Sequence, residues 1–221
     1  MSIPTGAQGL PGLAYPEASL KRLSIELTEK YAGTFGAETV HRYVLESYTA
    51  LLRTAKVRSH LLAQTTHFVN ERLTAVAQAA GAAAHDLPEI LYVCEQNAGR
   101  SQMAAAITTH LAAGRVHVRS AGSVPADRLH PAVVTVLAEV GIPLEDAYPK
   151  PLTDDVVQAA DVVVTMGCGD ACPLYPGKRY EDWSLADPST LDLDGVRSVR
   201  DEIIGHVEGL LASLERRHSA V

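Results

Sequence analysis

Cysteine is scarce in this chain of 221 residues, which holds only three. Three cysteines are too few for a disulfide scaffold, and clustered thiols outside such a scaffold indicate chemistry or metal binding in a reducing compartment. We therefore expect a cytoplasmic protein. Residues 1–10 have neither a basic start nor an apolar core, so no signal peptide is predicted.

Basic residues and long apolar runs are also scarce. Lys and Arg number 19 against 26 Asp and Glu, a formal charge of −7, which disfavours nonspecific binding to nucleic acid. The charge-free runs 73–85 and 101–114 are far shorter than the roughly 20 apolar residues of a membrane span. We expect neither nucleic acid nor a membrane as a partner. A hydrophobic content of 47% excludes wholesale disorder.

The charge is uneven along the chain, which predicts two domains. Residues 1–86 carry eight basic and seven acidic side chains, a net charge of +1, whereas residues 87–221 carry eleven and nineteen, a net charge of −8. The first part opens with a lead-in, 1–15, that we expect to be mobile. Three helical patterns with short connections follow it, which predicts a small three-helix bundle.

The second part alternates between strand and helix patterns. Patterns typical of strands lie at 89–94, 116–120, 161–166 and 179–183, and those at 89–94 and 161–166 are largely apolar. Helical patterns lie at 101–113, 131–140, 154–160 and 196–214. This alternation predicts an α/β domain with a four-stranded parallel sheet flanked by helices.

The loop after the first strand carries the strongest signal for chemistry. A cysteine, five residues, an arginine and a serine connect a predicted strand to a predicted helix: Cys94, Glu95, Gln96, Asn97, Ala98, Gly99, Arg100 and Ser101. Ligands of parallel sheets bind beyond the carboxyl ends of the strands, and the amides of a loop that opens a helix favour an anion.

This loop predicts a nucleophile beside a bound oxyanion. The guanidinium of Arg100 matches two oxygens of a tetrahedral anion. The field that favours the anion, held by residues 95–100, also favours a thiolate at Cys94. Ser101 would donate a hydrogen bond to the sulfur. The alternative is a buried cysteine at a strand end and a surface arginine.

The other two cysteines, Cys168 and Cys172, follow the third predicted strand. If that strand is parallel to the first, Cys168 could lie near Cys94. One helical turn would place the Cα atoms of the pair about 6 Å apart, within disulfide range. The pair is compatible with a thiol relay, with unreactive structural cysteines, or with a metal site. Two thiols without a nearby histidine disfavour the metal, so we expect no metal and no cofactor.

The motifs in this part resemble the low-molecular-weight tyrosine phosphatase superfamily, and more closely its arsenate reductase branch. The resemblance rests on Arg100-Ser101-Gln102-Met103-Ala104, on Ser120-Ala121-Gly122 and on Asp187-Pro188. The phosphatases usually have proline at the position of Gln102, and Asp187-Pro188 resembles the family's general-acid loop. The resemblance covers residues 88–217, and actinobacterial members carry a similar extra N-terminal helical segment.

This resemblance implies the reduction of arsenate to arsenite. Arsenate, a phosphate-like oxyanion, would bind in the loop, Cys94 would attack arsenic, and Asp187 would protonate the departing hydroxide. Cys168 and Cys172 would take up the oxidation in turn and leave a disulfide for thioredoxin. A low-molecular-weight thiol such as mycothiol is the alternative reductant, and it would make Cys168 and Cys172 dispensable.

Two other functions stay open. A low-molecular-weight tyrosine phosphatase would use Cys94, Arg100 and Asp187 in the same way, with water in the second step, and would not need the Cys168/Cys172 pair. A redox-responsive or oxyanion-responsive binding protein would instead use its N-terminal helices, which could form a homodimer or dock a partner.

Overall fold

The computed structural model describes residues 16–83, 86–144, 146–167, 169 and 172–218. The predicted mobile lead-in, 1–15, and Cys168 lie outside the described residues. Three helices come first: Glu17–Lys30 (α1), Ala37–Leu52 (α2) and Leu61–Ala79 (α3). Their apolar faces enclose one buried cluster built around residues such as Val44 and Leu73, so the three-helix bundle is confirmed.

The rest of the described chain alternates between strands and helices, with two consecutive helices before the third strand and two consecutive strands before the last helix. The elements are Glu89–Cys94 (β1), Arg100–Ala112 (α4), His117–Gly122 (β2), Pro131–Ala138 (α5), Asp154–Ala159 (α6), Val162–Met166 (β3), Arg179–Asp182 (β4) and Leu193–His218 (α7). The strands form one parallel sheet in the order β2-β1-β3-β4, as the sequence predicts. No helix among the described residues is long and apolar enough to cross a membrane.

Strand β1 lies at the centre of the sheet, and all six of its residues are buried. Tyr92 and Cys94 face a cluster covered by α4, α5 and α7, whereas Leu91 and Val93 face a second cluster that includes residues of α6 and Ala75 of α3. Cys94 pairs with Gly122 of β2 and Met166 of β3. The ends of three strands therefore meet at one edge of the sheet.

Several boundaries differ from the sequence prediction. Strand β2 continues through Gly122 rather than ending at residue 120, because its last residues pair with the end of β1. Helix α7 begins at Leu193 rather than at 196, and the carboxylate of Asp192 accepts a hydrogen bond from the Gly195 amide (2.9 Å) in its first turn. Such a side-chain acceptor satisfies one of the unpaired amides at a helix start.

The bundle packs directly on the α/β part through α3 and α6. Arg72 of α3 pairs with Asp155 of α6 at 2.8 Å, and both side chains are almost fully buried. The guanidinium of Arg72 also lies over the Tyr43 ring, 4.5 Å from its centroid. The division of the chain at residue 86 stays a prediction, since α3 contributes to the packing of both parts.

Candidate functional site

Hydrogen bonds from the segment that follows β2 hold the loop between β1 and α4 in place. The carbonyl oxygens of Cys94, Glu95, Gln96 and Ala98 accept hydrogen bonds of 2.8–3.2 Å from amides in the segment 123–130. Carbonyl oxygens repel an anion, so engaging them elsewhere suits an anion-binding loop. Among the loop residues, Asn97 has a positive φ of 47°, a conformation that asparagine tolerates better than most residues.

Gly122 at the end of β2 lies against this loop. A Cβ atom at this position would approach the backbone oxygen of Glu95 to 2.7 Å and the backbone nitrogen of Asn97 to 2.8 Å. Any residue other than glycine would therefore displace the loop. This close approach explains the glycine of the Ser120-Ala121-Gly122 motif.

The Cys94 sulfur is buried and has a defined partner. It lies 3.0 Å from the hydroxyl oxygen of Ser101, and the Asn97 amide donates to the same hydroxyl oxygen at 2.8 Å. Because Asn97 donates to this oxygen, the hydroxyl hydrogen of Ser101 can point to the sulfur. The predicted contact of Ser101 with the sulfur is therefore present, and the thiolate form of Cys94 stays a prediction.

Arg100 and Asp187 meet beside this sulfur. The guanidinium of Arg100 lies 3.7 Å from the Asp187 carboxylate and donates to the carbonyl of Leu185 at 3.4 Å. It also lies against Gly167, where a Cβ atom would approach the Arg100 Nη1 atom to 2.8 Å. Arg100 and Asp187 are far apart in the chain, but both follow strands of the same parallel sheet, and the fold brings them into contact.

The surroundings of Asp187 favour its carboxylate form. Burial raises the pKa of this carboxyl. Hydrogen bonds from Ser189 and the charges of Arg100 and His130 together lower it by a larger amount. The net result is a pKa below the ordinary value of aspartate. Asp187 therefore begins as a carboxylate and must gain a proton before it can act as an acid.

A cavity of about 20 Å³ lies between the loop and the Asp187-Pro188 turn. Its lining residues come from both: Cys94, Gln96, Ala98, Gly99, Arg100, His130, Asp187, Pro188 and Ser189. The structure thus brings together most of the predicted site. Glu95 of the predicted oxyanion loop is exposed and does not line the cavity.

Asn97 faces away from this cavity and anchors the loop. Its side-chain oxygen accepts hydrogen bonds from the Lys150 amide (2.8 Å) and from the Gln102 side chain (3.0 Å). Gln102 also donates to the carbonyl of Tyr148 at 3.0 Å. This gives Gln102, one of the residues that carry the resemblance, a role in fixing the loop.

The segment 148–150 is in turn tied to the bundle. The Lys150 amine pairs with the Glu71 carboxylate of α3 at 2.8 Å, and the Tyr148 hydroxyl donates to the carbonyl of Gln64 at 3.0 Å. Burial and the nearby Glu71 carboxylate raise the pKa of Tyr148, so its hydroxyl remains a donor. Sequence reasoning missed this connection because no local pattern links α3 to residues 148–150.

Sequence reasoning also missed His130. It precedes Pro131, the first residue of α5, which is a recognisable helix start. Nothing in the sequence indicates that this start lies against the Cys94 loop.

Cys172 is buried away from Cys94. It belongs to the cluster on the other face of the sheet, which includes Leu91 and Val93. The structure therefore does not bring Cys172 to the nucleophile, and the predicted position of Cys168 lies outside the described residues. Within the described ranges, no group of three or more His, Cys, Asp or Glu residues is arranged to hold a metal ion.

The fold and this site define a class of protein. A thiol and an arginine lie on a loop at the carboxyl end of the central strand of a parallel sheet, with an aspartate across a small cavity. Such proteins attack a bound oxyanion with cysteine. The sequence profile of the low molecular weight phosphotyrosine protein phosphatases matches residues 89–220, and the chain belongs to this family. A protein-tyrosine-phosphatase-like N-terminal domain matches residues 20–77.

The relatives of this chain include both arsenate reductases and phosphatases. The chain is 46% identical to the thioredoxin-dependent arsenate reductase of Corynebacterium glutamicum, with a TM-score of 0.81, over 90% of this chain and 97% of that one. It is 33% identical to the glutaredoxin arsenate reductase of Synechocystis over 58% of this chain and 99% of the relative. An arginine phosphatase from Geobacillus stearothermophilus is 25% identical, with a TM-score of 0.53, over 60% of this chain and 96% of that one.

Proposed function

We propose that this protein is an arsenate reductase that converts arsenate to arsenite and is regenerated by thioredoxin. The observation that carries the proposal is the combination of the Cys94 site with similarity to a thioredoxin-dependent arsenate reductase over 90% of the chain. At 90% coverage the similarity extends into the N-terminal helices, whereas the arginine phosphatase covers 60% of this chain.

The first step joins the oxyanion to Cys94. The thiolate of Cys94 attacks arsenic, an As–S bond forms, and hydroxide leaves with a proton from Asp187. Arg100 and the amides of the loop hold the remaining oxygens, and Ser101 stabilises the sulfur before the attack. Asp187 gains its proton when the oxyanion takes over the guanidinium of Arg100, because the bound anion repels a second negative charge.

The later steps move two electrons to arsenic. The Cys168 thiolate attacks the Cys94 sulfur, so an S–S bond forms, the As–S bond breaks, and arsenic leaves as arsenite. Cys172 then attacks the Cys168 sulfur, releases the Cys94 thiolate and leaves a Cys168–Cys172 disulfide for thioredoxin. The burial of Cys172 on the other face of the sheet supports Cys168 as the first of the pair. A relay that begins with three reduced thiols fits the cytoplasm.

The test is arsenate-dependent oxidation of NADPH in the presence of thioredoxin and its reductase. We expect turnover by the wild type and none by Cys94→Ser, Cys168→Ser or Cys172→Ser. Ser198→Ala, at an exposed residue of α7 outside the proposed relay, is the control and should retain turnover. Wild-type turnover that survives both Cys168→Ser and Cys172→Ser would contradict the internal relay.

Two other reactions use the same site. Turnover with mycothiol but not thioredoxin, insensitive to Cys168→Ser and Cys172→Ser, would identify an arsenate-mycothiol transferase. Hydrolysis of phosphotyrosine without arsenate reduction would identify a phosphatase, a candidate because the arginine phosphatase shares the fold. Arsenate assays with each thiol and a phosphotyrosine assay separate these outcomes.

We also propose that the bundle forms a homodimer through the outer faces of α1 and α2. Ile25 and Leu45 are exposed there and line one open apolar groove of about 800 Å³. Ile25→Glu and Leu45→Glu should convert a dimer to a monomer in analytical ultracentrifugation. Val57→Glu, at an exposed apolar residue outside this groove, is the matched control.

A further inference from the structure

One ring nitrogen of His130, a residue in the wall of the candidate site cavity, has no hydrogen-bond partner among the described residues. Its ring lines the same cavity as Cys94, Arg100 and Asp187. Its Nδ1 atom is buried and has no hydrogen-bond partner among the described residues. A buried nitrogen without a hydrogen-bond partner lowers the stability of the fold. A bound ligand that makes a hydrogen bond to this nitrogen would remove that cost.

The main chain of His130 lies against the oxyanion loop. The His130 amide donates to the carbonyl of Ala98 at 2.9 Å, which ties the start of α5 to the oxyanion loop. Pro131 follows as the first helical residue and restricts the backbone there. The main chain on both sides of His130 is thus restrained, and this places the residue beside the loop.

Arg100, which lines the same cavity, already has partners. Arg100 contacts Asp187 and the Leu185 carbonyl, whereas Nδ1 of His130 has none. His130 and Asp187 line the same cavity, so the imidazole lies on the same side of the site as the carboxylate. A tetrahedral oxyanion has acceptor oxygens on all sides, and an N–H of imidazole is a suitable donor.

We propose that His130 is a further oxyanion-binding residue, whose Nδ1 atom donates a hydrogen bond to the arsenate bound above Cys94. The inference rests on the proposed function only in placing an oxyanion in this cavity. The cavity is small in this structure, about 20 Å³, and Nδ1 is buried in its wall. The proposal therefore includes an opening of the cavity that brings Nδ1 to the ligand.

The test measures how inorganic phosphate protects Cys94 from iodoacetamide. Cys168→Ser/Cys172→Ser serves as the background, because it leaves Cys94 as the single thiol. We expect His130→Ala to raise the phosphate concentration for half-protection about tenfold, the effect of losing one hydrogen bond to a charged group. His130→Asn, whose amide nitrogen can take the place of Nδ1, should restore most of the protection. His110→Ala, at an exposed histidine of α4, is the control.

Two results would overturn the inference. One is protection of His130→Ala by phosphate at the wild-type concentration. The other is an equal loss of protection in the alanine and asparagine variants, which would assign His130 a purely structural role. Melting temperatures of both variants check that the fold is retained. Phosphate protection that His130→Ala weakens and His130→Asn restores, without arsenate turnover by the wild type, would refute the proposed reduction but support the role of His130.

Discussion

At the residue scale, the hydroxyl of Ser101 links the loop to the nucleophile. It lies 3.0 Å from the Cys94 sulfur and accepts a hydrogen bond from Asn97. Ser101→Ala removes the donor to the sulfur, so the thiolate becomes less favourable. We expect iodoacetamide to modify Cys94 about tenfold more slowly at neutral pH, in keeping with the loss of one hydrogen bond to a charged group. Ser198→Ala, on the exposed face of α7, should leave the rate unchanged.

Proton transfer by Asp187 is expected to affect the chemical step more than binding. Asp187→Asn preserves the shape of the side chain but cannot transfer a proton. We expect the rate of arsenite formation in a single turnover to fall about 10²- to 10⁴-fold, with a small change in the arsenate KM. An equal rate in the variant would remove Asp187 from the mechanism. Asp194→Asn, at an exposed aspartate of α7, controls for the change of charge.

The same carboxyl predicts a pH dependence of stability. Its folded pKa is below the ordinary value, so its stabilising contribution is complete above the unfolded pKa of about 3.9. This contribution is lost as the pH falls through the lower folded pKa. Urea unfolding of the wild type and Asp187→Asn should show a constant difference in free energy near neutral pH that shrinks below about pH 4. A difference that grows on acidification would contradict the pKa direction.

At the scale of elements, helix α3 supports the oxyanion loop through residues 148–150. The Glu71–Lys150 pair fixes a segment whose backbone holds Asn97 and Gln102. Glu71→Gln and Lys150→Met should loosen the loop, so we expect the arsenate KM to rise several-fold with little change in the melting temperature. Kinetics over a range of arsenate concentrations separates KM from kcat.

A matched control for this pair lies on the surface. Glu215→Gln breaks the exposed ion pair with Arg115, and exposed pairs contribute little to stability. It should change neither KM nor the melting temperature. Kinetics of Glu71→Gln that match those of Glu215→Gln would exclude a functional connection between α3 and the loop.

At the scale of the whole molecule, the bundle and the α/β part share a buried ion pair. Arg72 and Asp155 lie 2.8 Å apart with almost no exposure. Arg72→Met leaves the Asp155 charge buried without this partner, so we expect a loss of about 3–5 kcal/mol in the free energy of unfolding. Arg72→Met/Asp155→Asn should lose less than the sum of the two single variants. Additive losses in urea unfolding would show that the pair does not couple the two parts.

The sequence determined the order of the elements and the chemistry of the loop. After Glu89, strand β1 is apolar because both of its faces are covered, so its pattern identifies a central parallel strand without knowledge of its neighbours. The spacing from Cys94 to Arg100 and Ser101 is local, so the contact of Ser101 with the sulfur could be predicted from one strand, one loop and one helix start.

The tertiary structure alone decided which distant residues join that loop. His130 enters the cavity wall, and Glu71 supports the loop, through contacts between elements far apart in the chain. Cys172 lies on the opposite face of the sheet, where it packs in a cluster with residues of α6 and of the strands. Periodicity and spacing record which side of one element is buried, but they carry no information about which element covers it. That choice depends on packing across the whole molecule.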